Sequence, residues 1–196
     1  MRPFQSVVAV FAVVGLGAFA TAGTAFAQQL DASTLTCKEL IEASNSTKND
    51  DQFGAGAILH WISGYLATQD QGTVMDFGAM KTDFGSVLEY CNANPEIGVM
   101  TAAEKYMGDN ASEASADIVD LSTVKCQRVI DTKPDDVEGL SVILMWLAGY
   151  NASYKKDTII DFDKLAKEGE QIGKFCGESP DFGLVTATNK FMGEDN

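Results

Sequence analysis

The chain has 196 residues, of which 28 are acidic and 14 are Lys or Arg, so its formal net charge at pH 7 is -14. A chain of this length holds either one mid-sized domain or two small ones. The negative charge argues against nucleic acid as a partner, because the phosphate backbone would repel the protein. Four cysteines without any C-x-x-C pair argue against a four-cysteine zinc site and against thioredoxin-like redox exchange.

The N-terminus has the pattern of a secretory signal peptide. Arg2 precedes an apolar run of small residues, and the segment "TAFA" ends at Ala27 in the small-x-small form that signal peptidase accepts. We therefore expect residues 1–27 to be removed, so that the mature protein begins at Gln28, is exported and keeps no membrane anchor. Without Arg2 the mature chain has 13 basic and 28 acidic residues, a formal charge of −15.

The rest of the chain is an internal duplication. The segments "HWISGYLA" and "MWLAGYNA" place Trp61 and Trp146 in register at an offset of 85 residues. The same offset aligns "CNANPEIGVMTAAEKYMG" with "CGESPDFGLVTATNKFMG", in which 8 of 18 positions are identical. We therefore predict one repeat over residues 28–108, a linker rich in Ala, Ser and Asp over 109–120, and a second repeat over 121–196.

Each repeat shows helical rather than alternating periodicity. In the first, Thr36 begins a Thr-Cys-Lys-Glu capping box at the start of a short helix that carries a cysteine. Three more helices are predicted over "GAILHWISGYLA", "GAMKTDFGSVLEYC" and "IGVMTAAEKYM", the third stopping at Asn94-Pro95 and the fourth at Gly108. The predicted fold class is all-α, with two small four-helix-type domains and one disulfide inside each.

Two local features complete this prediction. Asp76 and its counterpart Asp161 are expected to cap the start of the third helix in each repeat. The leading cysteines fall out of step by four residues, because "NSTKNDDQFGAG" is longer than its counterpart in the second repeat. This insertion predicts a surface loop.

The duplication also favours one pairing of the cysteines, although four cysteines allow three pairings in general. An exported chain with an even number of cysteines is expected to form disulfides. Pairs within each repeat give both copies the same bridge, which predicts Cys37 with Cys91 and Cys126 with Cys176. Each bridge closes a loop of some fifty residues, for which the chain-entropy account gives roughly 4 kcal/mol of stabilisation.

The order of these features resembles the HdeA/HdeB family of periplasmic acid-stress chaperones. Thr36-Cys37, an acidic and apolar helix, a Trp-bearing helix and then "VLEYCNANP" carry the resemblance, which covers residues 34–107 and, more loosely, 123–192. It implies an ATP-independent, non-enzymatic chaperone in the periplasm whose partners are unfolding client proteins. The duplication itself places two self-complementary Gly-Tyr faces at high effective concentration in one chain, which predicts an intramolecular pseudo-dimer of the two repeats or a homo-oligomer.

The aromatic pattern that is written twice supplies the candidate site. A Trp, an apolar residue, a Gly and a Tyr recur on one helix of each repeat, and the glycines favour close helix approach at that face. These side chains are either core residues or an apolar surface shared between the repeats and shown to clients in acid. The candidate residues are Trp61, Ile62, Tyr65, Leu66, Trp146, Leu147 and Tyr150.

The sequence gives little support to an enzyme. His60 is the only histidine, its counterpart is Met145, and no Ser, Cys or Asp accompanies it at a recognisable spacing. We therefore expect His60 to be structural, and we expect no catalytic residue, metal or cofactor. A non-catalytic binding module or immunity-type protein for one specific partner remains the alternative function, because the same small scaffold would serve it equally well.

Overall fold

A computed structural model describes residues 29–67, 72–107, 116–132 and 137–193 of the chain. The predicted signal peptide, Gly108 and most of the predicted linker lie outside the described residues. Within the described part, no helix is both long enough and apolar enough to cross a membrane.

Helices dominate both repeats, as the predicted all-α class requires. The first repeat contains α1 (Cys37–Ser44), α2 (Asn49–Leu66), α3 (Phe77–Ala93) and α4 (Val99–Met107). The second contains α5 (Gln127–Asp131), α6 (Val137–Lys155), α7 (Phe162–Glu178), α8 (Leu184–Thr188) and a π-helical turn at Asn189–Gly193. The fold-class prediction is confirmed.

Local chemistry fixes the helix starts where the sequence predicted them. Thr36 accepts a hydrogen bond from the Glu39 amide, and the Glu39 carboxylate accepts one from the Thr36 amide, which closes the predicted capping box. Asp76 accepts from the Ala79 amide and Asp161 accepts from the Lys164 amide, so both predicted aspartate caps are present.

The two disulfides are Cys37–Cys91 and Cys126–Cys176, which confirms the predicted pairing. The first joins the start of α1 to the end of α3, and the second joins the start of α5 to the end of α7. All four cysteines are fully buried. Each repeat is therefore held together by its own bridge.

One loop prediction was partly wrong. The segment "NSTKNDDQFGAG" was expected to be a surface loop, but α2 begins at Asn49, so the last eight of its twelve residues are helical. Asp51 lies in the first turn, where a carboxylate is favoured by the positive end of the helix dipole, and it accepts a hydrogen bond from the Ser46 hydroxyl. The polar composition that indicated a loop therefore belongs to the start of the helix.

In the part of the chain that the structure describes, four short strands join the two repeats. They are β1 (Gln29–Asp31), β2 (Val74–Asp76), β3 (Ile118–Asp120) and β4 (Ile159–Asp161). Strand β1 of the first repeat pairs antiparallel with β4 of the second, and β3 of the second repeat pairs antiparallel with β2 of the first. Each repeat thus gives its leading strand to the other, and β3 occupies the last part of the segment predicted as a linker.

The core follows from this exchange. Buried apolar side chains from both repeats form one continuous cluster, and α2 against α6 is the most extensive contact between elements. The two repeats therefore share one apolar interior across their junction.

Candidate functional site

The candidate site is the junction where α2 crosses α6. A Cβ atom on Gly64 would overlap the carbonyl oxygen of Trp146, and a Cβ atom on Gly149 would overlap the carbonyl oxygen of Trp61. The relationship is reciprocal, as expected for two copies of one self-complementary face. Only a residue without a side chain permits this approach of the two backbones.

The predicted aromatic residues lie at this junction. Trp61 stacks on Tyr65 with ring centroids 5.3 Å apart, and Trp146 stacks on Tyr150 at 5.4 Å. Both tryptophans are 2% exposed, and Ile62 is fully buried. Of the remaining predicted residues, two are buried, Leu147 and Tyr150, and two are partly buried, Tyr65 and Leu66. The whole set is therefore buried or partly buried in the folded protein.

In α6, Tyr150 has a hydrogen-bonding partner on the same helix. The Tyr150 hydroxyl lies 2.8 Å from the hydroxyl of Tyr154, which is 53% exposed. Burial, together with this hydrogen bond, raises the pKa of Tyr150 to about 12. The phenol therefore stays protonated at neutral and acid pH, and it takes no part in an acid response.

Acid-sensitive contacts lie at the β1–β4 pairing instead. The Asp31 carboxylate accepts hydrogen bonds from the Ser33 hydroxyl at 2.7 Å and from the Thr158 hydroxyl, in the other repeat, at 2.8 Å. The Asp161 carboxylate accepts one from the Gln29 side-chain amide at 2.8 Å. Two of these bonds therefore join the repeats to each other.

These bonds favour the charged carboxylates. Hydrogen bonds from Ser33 and then from Thr158 lower the pKa of Asp31, and the hydrogen bond from Gln29, followed by that from the Lys164 amide, lowers the pKa of Asp161. The Thr36 capping box likewise lowers the pKa of Glu39. Protonation removes this preference, so acid weakens the contacts that these carboxylates accept.

The β2–β3 pairing has a related arrangement. Asp120, at the position equivalent to Asp31, accepts hydrogen bonds from the Ser122 amide at 2.9 Å and from the Ser122 hydroxyl at 2.6 Å. The Leu121 amide donates to the carbonyl of Thr73, as the Ala32 amide donates to the carbonyl of Thr158. Both exchanged strands, β1 and β3, thus end in an aspartate that accepts a hydrogen bond from the serine two residues later.

Sequence reasoning missed this set of residues, although a signal was present. The segments "LDASTLTC" and "VDLSTVKC" share an aspartate, a Ser-Thr pair and a cysteine at an offset of 89 residues. The first cysteines of the two repeats, Cys37 and Cys126, are separated by the same 89 residues. A second alignment at the cysteine offset would have drawn attention to Asp31 and Asp120.

Burial shifts the pKa values of two further side chains, Glu168 and His60. Glu168 in α7 is 7% exposed, and burial raises the pKa of its carboxyl group although the Lys164 ammonium lies 3.8 Å away. His60 in α2 is partly buried, with its Nδ1 atom 2.7 Å from the Gly56 carbonyl oxygen and its ring edge-on to Phe84. Burial lowers the pKa of the imidazole, against the effect of the Gly56 hydrogen bond.

His60 thus packs in the fold through its contacts with Gly56 and Phe84. Among the residues that the structure describes, no group of three or more His, Cys, Asp and Glu side chains is placed to hold a metal ion.

Comparison with known proteins identifies one family. The sequence model of the HdeA/HdeB family matches residues 6–101 of the chain and, a second time, residues 97–186. The two matches place one copy in each half of the chain, which confirms the predicted tandem duplication. No curated protein and no solved structure gives a significant match.

Proposed function

The chain belongs to the HdeA/HdeB family of periplasmic acid-stress chaperones, and we propose that it is itself an ATP-independent chaperone of the periplasm. In acid, the junction between the repeats opens, and the apolar faces of α2 and α6 bind other proteins that are unfolding. One observation carries this proposal. The two repeats pack through their two longest helices, α2 and α6, and they are also joined at the β1–β4 pairing by hydrogen bonds that ionised carboxylates accept.

The direction of the pH response follows from the pKa shifts. A carboxylate whose pKa is lowered in the folded protein stabilises the fold at pH values above its ordinary pKa, which is about 4. This stabilisation is lost as the pH falls through the folded-state value. Asp31 and Asp161 are shifted in this direction and contact the opposite repeat, so acid weakens the junction.

His60 adds to the loss of stability in acid. Because burial lowers its pKa, the folded protein disfavours the charged imidazole. The unfolded chain takes up the proton first, so stability decreases as the pH falls below the ordinary histidine value of about 6.5. Glu168 acts in the opposite direction, because its raised pKa makes the folded protein prefer the protonated carboxyl group.

Net charge opposes opening in mild acid and favours it only in stronger acid. With every carboxylate protonated, the 13 basic residues of the predicted mature chain, His60 and the new N-terminus give a charge of roughly +15 instead of −15. Repulsion between the repeats therefore passes through a minimum near the isoelectric point of 4.3 and grows again in stronger acid. The buried disulfides limit how far each repeat unravels.

Opening exposes a surface suited to unfolded clients. Trp61 with Tyr65 and Trp146 with Tyr150 form two broad aromatic surfaces at the crossing. Aromatic side chains contribute large apolar contact areas, which a chaperone that binds unfolded proteins requires. These residues are the proposed client-binding surface, together with Ile62, Leu66 and Leu147.

A light-scattering assay tests the proposal. Several unrelated proteins that aggregate in acid are incubated with the chain at half-unit steps from about pH 7 to about pH 2. We expect protection to peak between about pH 3 and 5, since carboxylate protonation opens the junction and stronger acid then makes chaperone and clients repel each other. Protection of one partner alone would favour the immunity-type alternative, and no protection at any pH would contradict the proposal.

A further inference from the structure

The edge of β4 is covered by a strand that the other repeat supplies. In the described part of the chain, β1 and β4 form a two-stranded sheet in which Gln29 faces Asp161, Leu30 faces Ile160 and Asp31 faces Ile159. The Ala32 amide extends the pairing by donating to the carbonyl of Thr158 at 2.8 Å. Without β1, the backbone groups of β4 would be left unpaired.

The covering strand is small. Leu30 is the middle residue of β1 and packs, partly buried, against the common core, beside Ile160, which is 1% exposed. Gln29 is exposed. Cleavage at the predicted site would leave only Gln28 before this strand. A strand of three residues at the start of the predicted mature chain is held by few backbone hydrogen bonds, so its release requires less of the fold to open than the release of an internal strand.

The equivalent cover on β2 is less free to leave. There Val119 of β3 lies opposite Met75, which is 1% exposed. Strand β3 is internal to the chain and continues directly into a 3-10 helix at Leu121–Thr123. We therefore expect β1 to leave β4 more readily than β3 leaves β2.

We propose that an extended segment of a client protein replaces β1 on the edge of β4, with one apolar side chain in the position of Leu30. This inference rests on the proposed chaperone function and names the chemistry of its substrate. Strand β1 itself shows what the edge accepts, namely an extended backbone with one apolar residue between two polar residues whose side chains bond to Asp161 and Thr158. Addition of a strand to a free sheet edge is a general way to bind extended peptides.

The site suits a chaperone with many clients. Backbone hydrogen bonds are available from any extended sequence, and a single apolar position sets only a weak preference. The Thr158 hydroxyl, which donates to the Asp31 carboxylate in the closed protein, becomes available to the client. The β4 edge thus complements the aromatic faces, since it binds backbone where they bind side chains.

Fluorescence anisotropy with a labelled peptide of residues 29–35 tests this site directly at pH 7. The predicted mature chain is compared with a variant that begins at Ala32 and lacks β1. Because the competent fraction of the full chain is reduced by its own strand, the truncated variant should bind the peptide at least about tenfold more tightly. A peptide with Asp in the Leu30 position is the control and should not bind.

A client-like probe extends the test. A peptide of equal length that alternates threonine and valine should compete for the same site on the truncated variant. Should circular dichroism show the truncated variant to be unfolded, Leu30→Asp in the full chain removes the apolar anchor of β1 and should have the same effect. Equal affinity of the closed and opened proteins for the peptide, or binding of the control peptide, would overturn the inference.

The aggregation assay separates this inference from the function on which it rests. Client protection that the residue 29–35 peptide does not reduce would overturn the β4 site and leave the chaperone intact. Peptide binding by a protein that protects no client at any pH would support the edge site and contradict the chaperone. Dimers of the full chain that form by exchange of β1 would assign the edge to a second copy and overturn the inference.

Discussion

Gly64 and Gly149 occupy equivalent positions in two crossing helices, and each lies against the backbone carbonyl of the other repeat's tryptophan. An isolated glycine within a helix costs about 1 kcal/mol relative to alanine. The chain accepts this cost twice because the two helices approach each other more closely than a side chain allows.

Gly64→Ala should destabilise the protein by about 1–3 kcal/mol, because the added methyl group overlaps a backbone carbonyl that cannot move without separating the helices. Gly56→Ala is the matched control in the same helix, since a Cβ atom there meets nothing within 4 Å. Urea unfolding at pH 7 measures both. Equal midpoints for the two variants would show that the close approach is not required.

His60→Met should reduce the loss of stability between about pH 6.5 and pH 5, because the variant removes a buried imidazole whose charged form the fold disfavours. Methionine is the residue that the second repeat carries at the equivalent position, Met145. Urea midpoints measured across this range give the comparison. A variant that loses stability as steeply as the wild type would exclude His60 from the acid response.

Asp31→Asn combined with Asp161→Asn should weaken the fold at pH 7 and flatten its dependence on pH below about 5, since both carboxylates have lowered pKa values in the folded protein. Glu89→Gln, at an exposed position of α3, removes the same kind of charge away from the junction. Thermal unfolding at several pH values is the measurement. The assignment would fail if the control variant flattened the profile to the same extent.

Glu168→Gln should stabilise the protein at pH 7 and change little in strong acid. Burial raises the pKa of this carboxyl group, so the folded protein bears a cost only while the group is charged. Glu170→Gln, at an exposed position of the same helix, is the control. Loss of stability at pH 7 would mean that the contact with Lys164 outweighs the cost of burial.

The predictable part of the fold is the part fixed by local chemistry. Thr36 and Asp76 cap helices through residues three positions away, and periodic apolar residues mark α2 and α3. The duplication predicted the cysteine pairing, because pairs within each repeat give both copies the same bridge. All of these signals lie within short segments or in the comparison of the two copies.

The exchange of strands was not predictable in the same way. Strand β1 has three residues, and its partner lies about 130 residues away, so neither segment shows a pattern long enough to indicate a strand. The surroundings of the aromatic residues could be predicted only in part, for a similar reason. A Trp-bearing helical face predicts burial, but only the structure shows that Gly64 of this helix lies against the Trp146 backbone of the other repeat.

The opening of the junction can be measured with the two tryptophans, because Trp61 and Trp146 are the only ones in the chain and both lie, 2% exposed, where α2 crosses α6. Their emission should be recorded together with client protection at half-unit steps from about pH 7 to about pH 2. We expect the emission maximum to move to longer wavelength at the pH at which protection begins, because opening brings both indoles into contact with water. Protection that begins while both tryptophans stay buried, or exposure of both without any protection, would contradict the proposal that clients bind the faces covered at neutral pH.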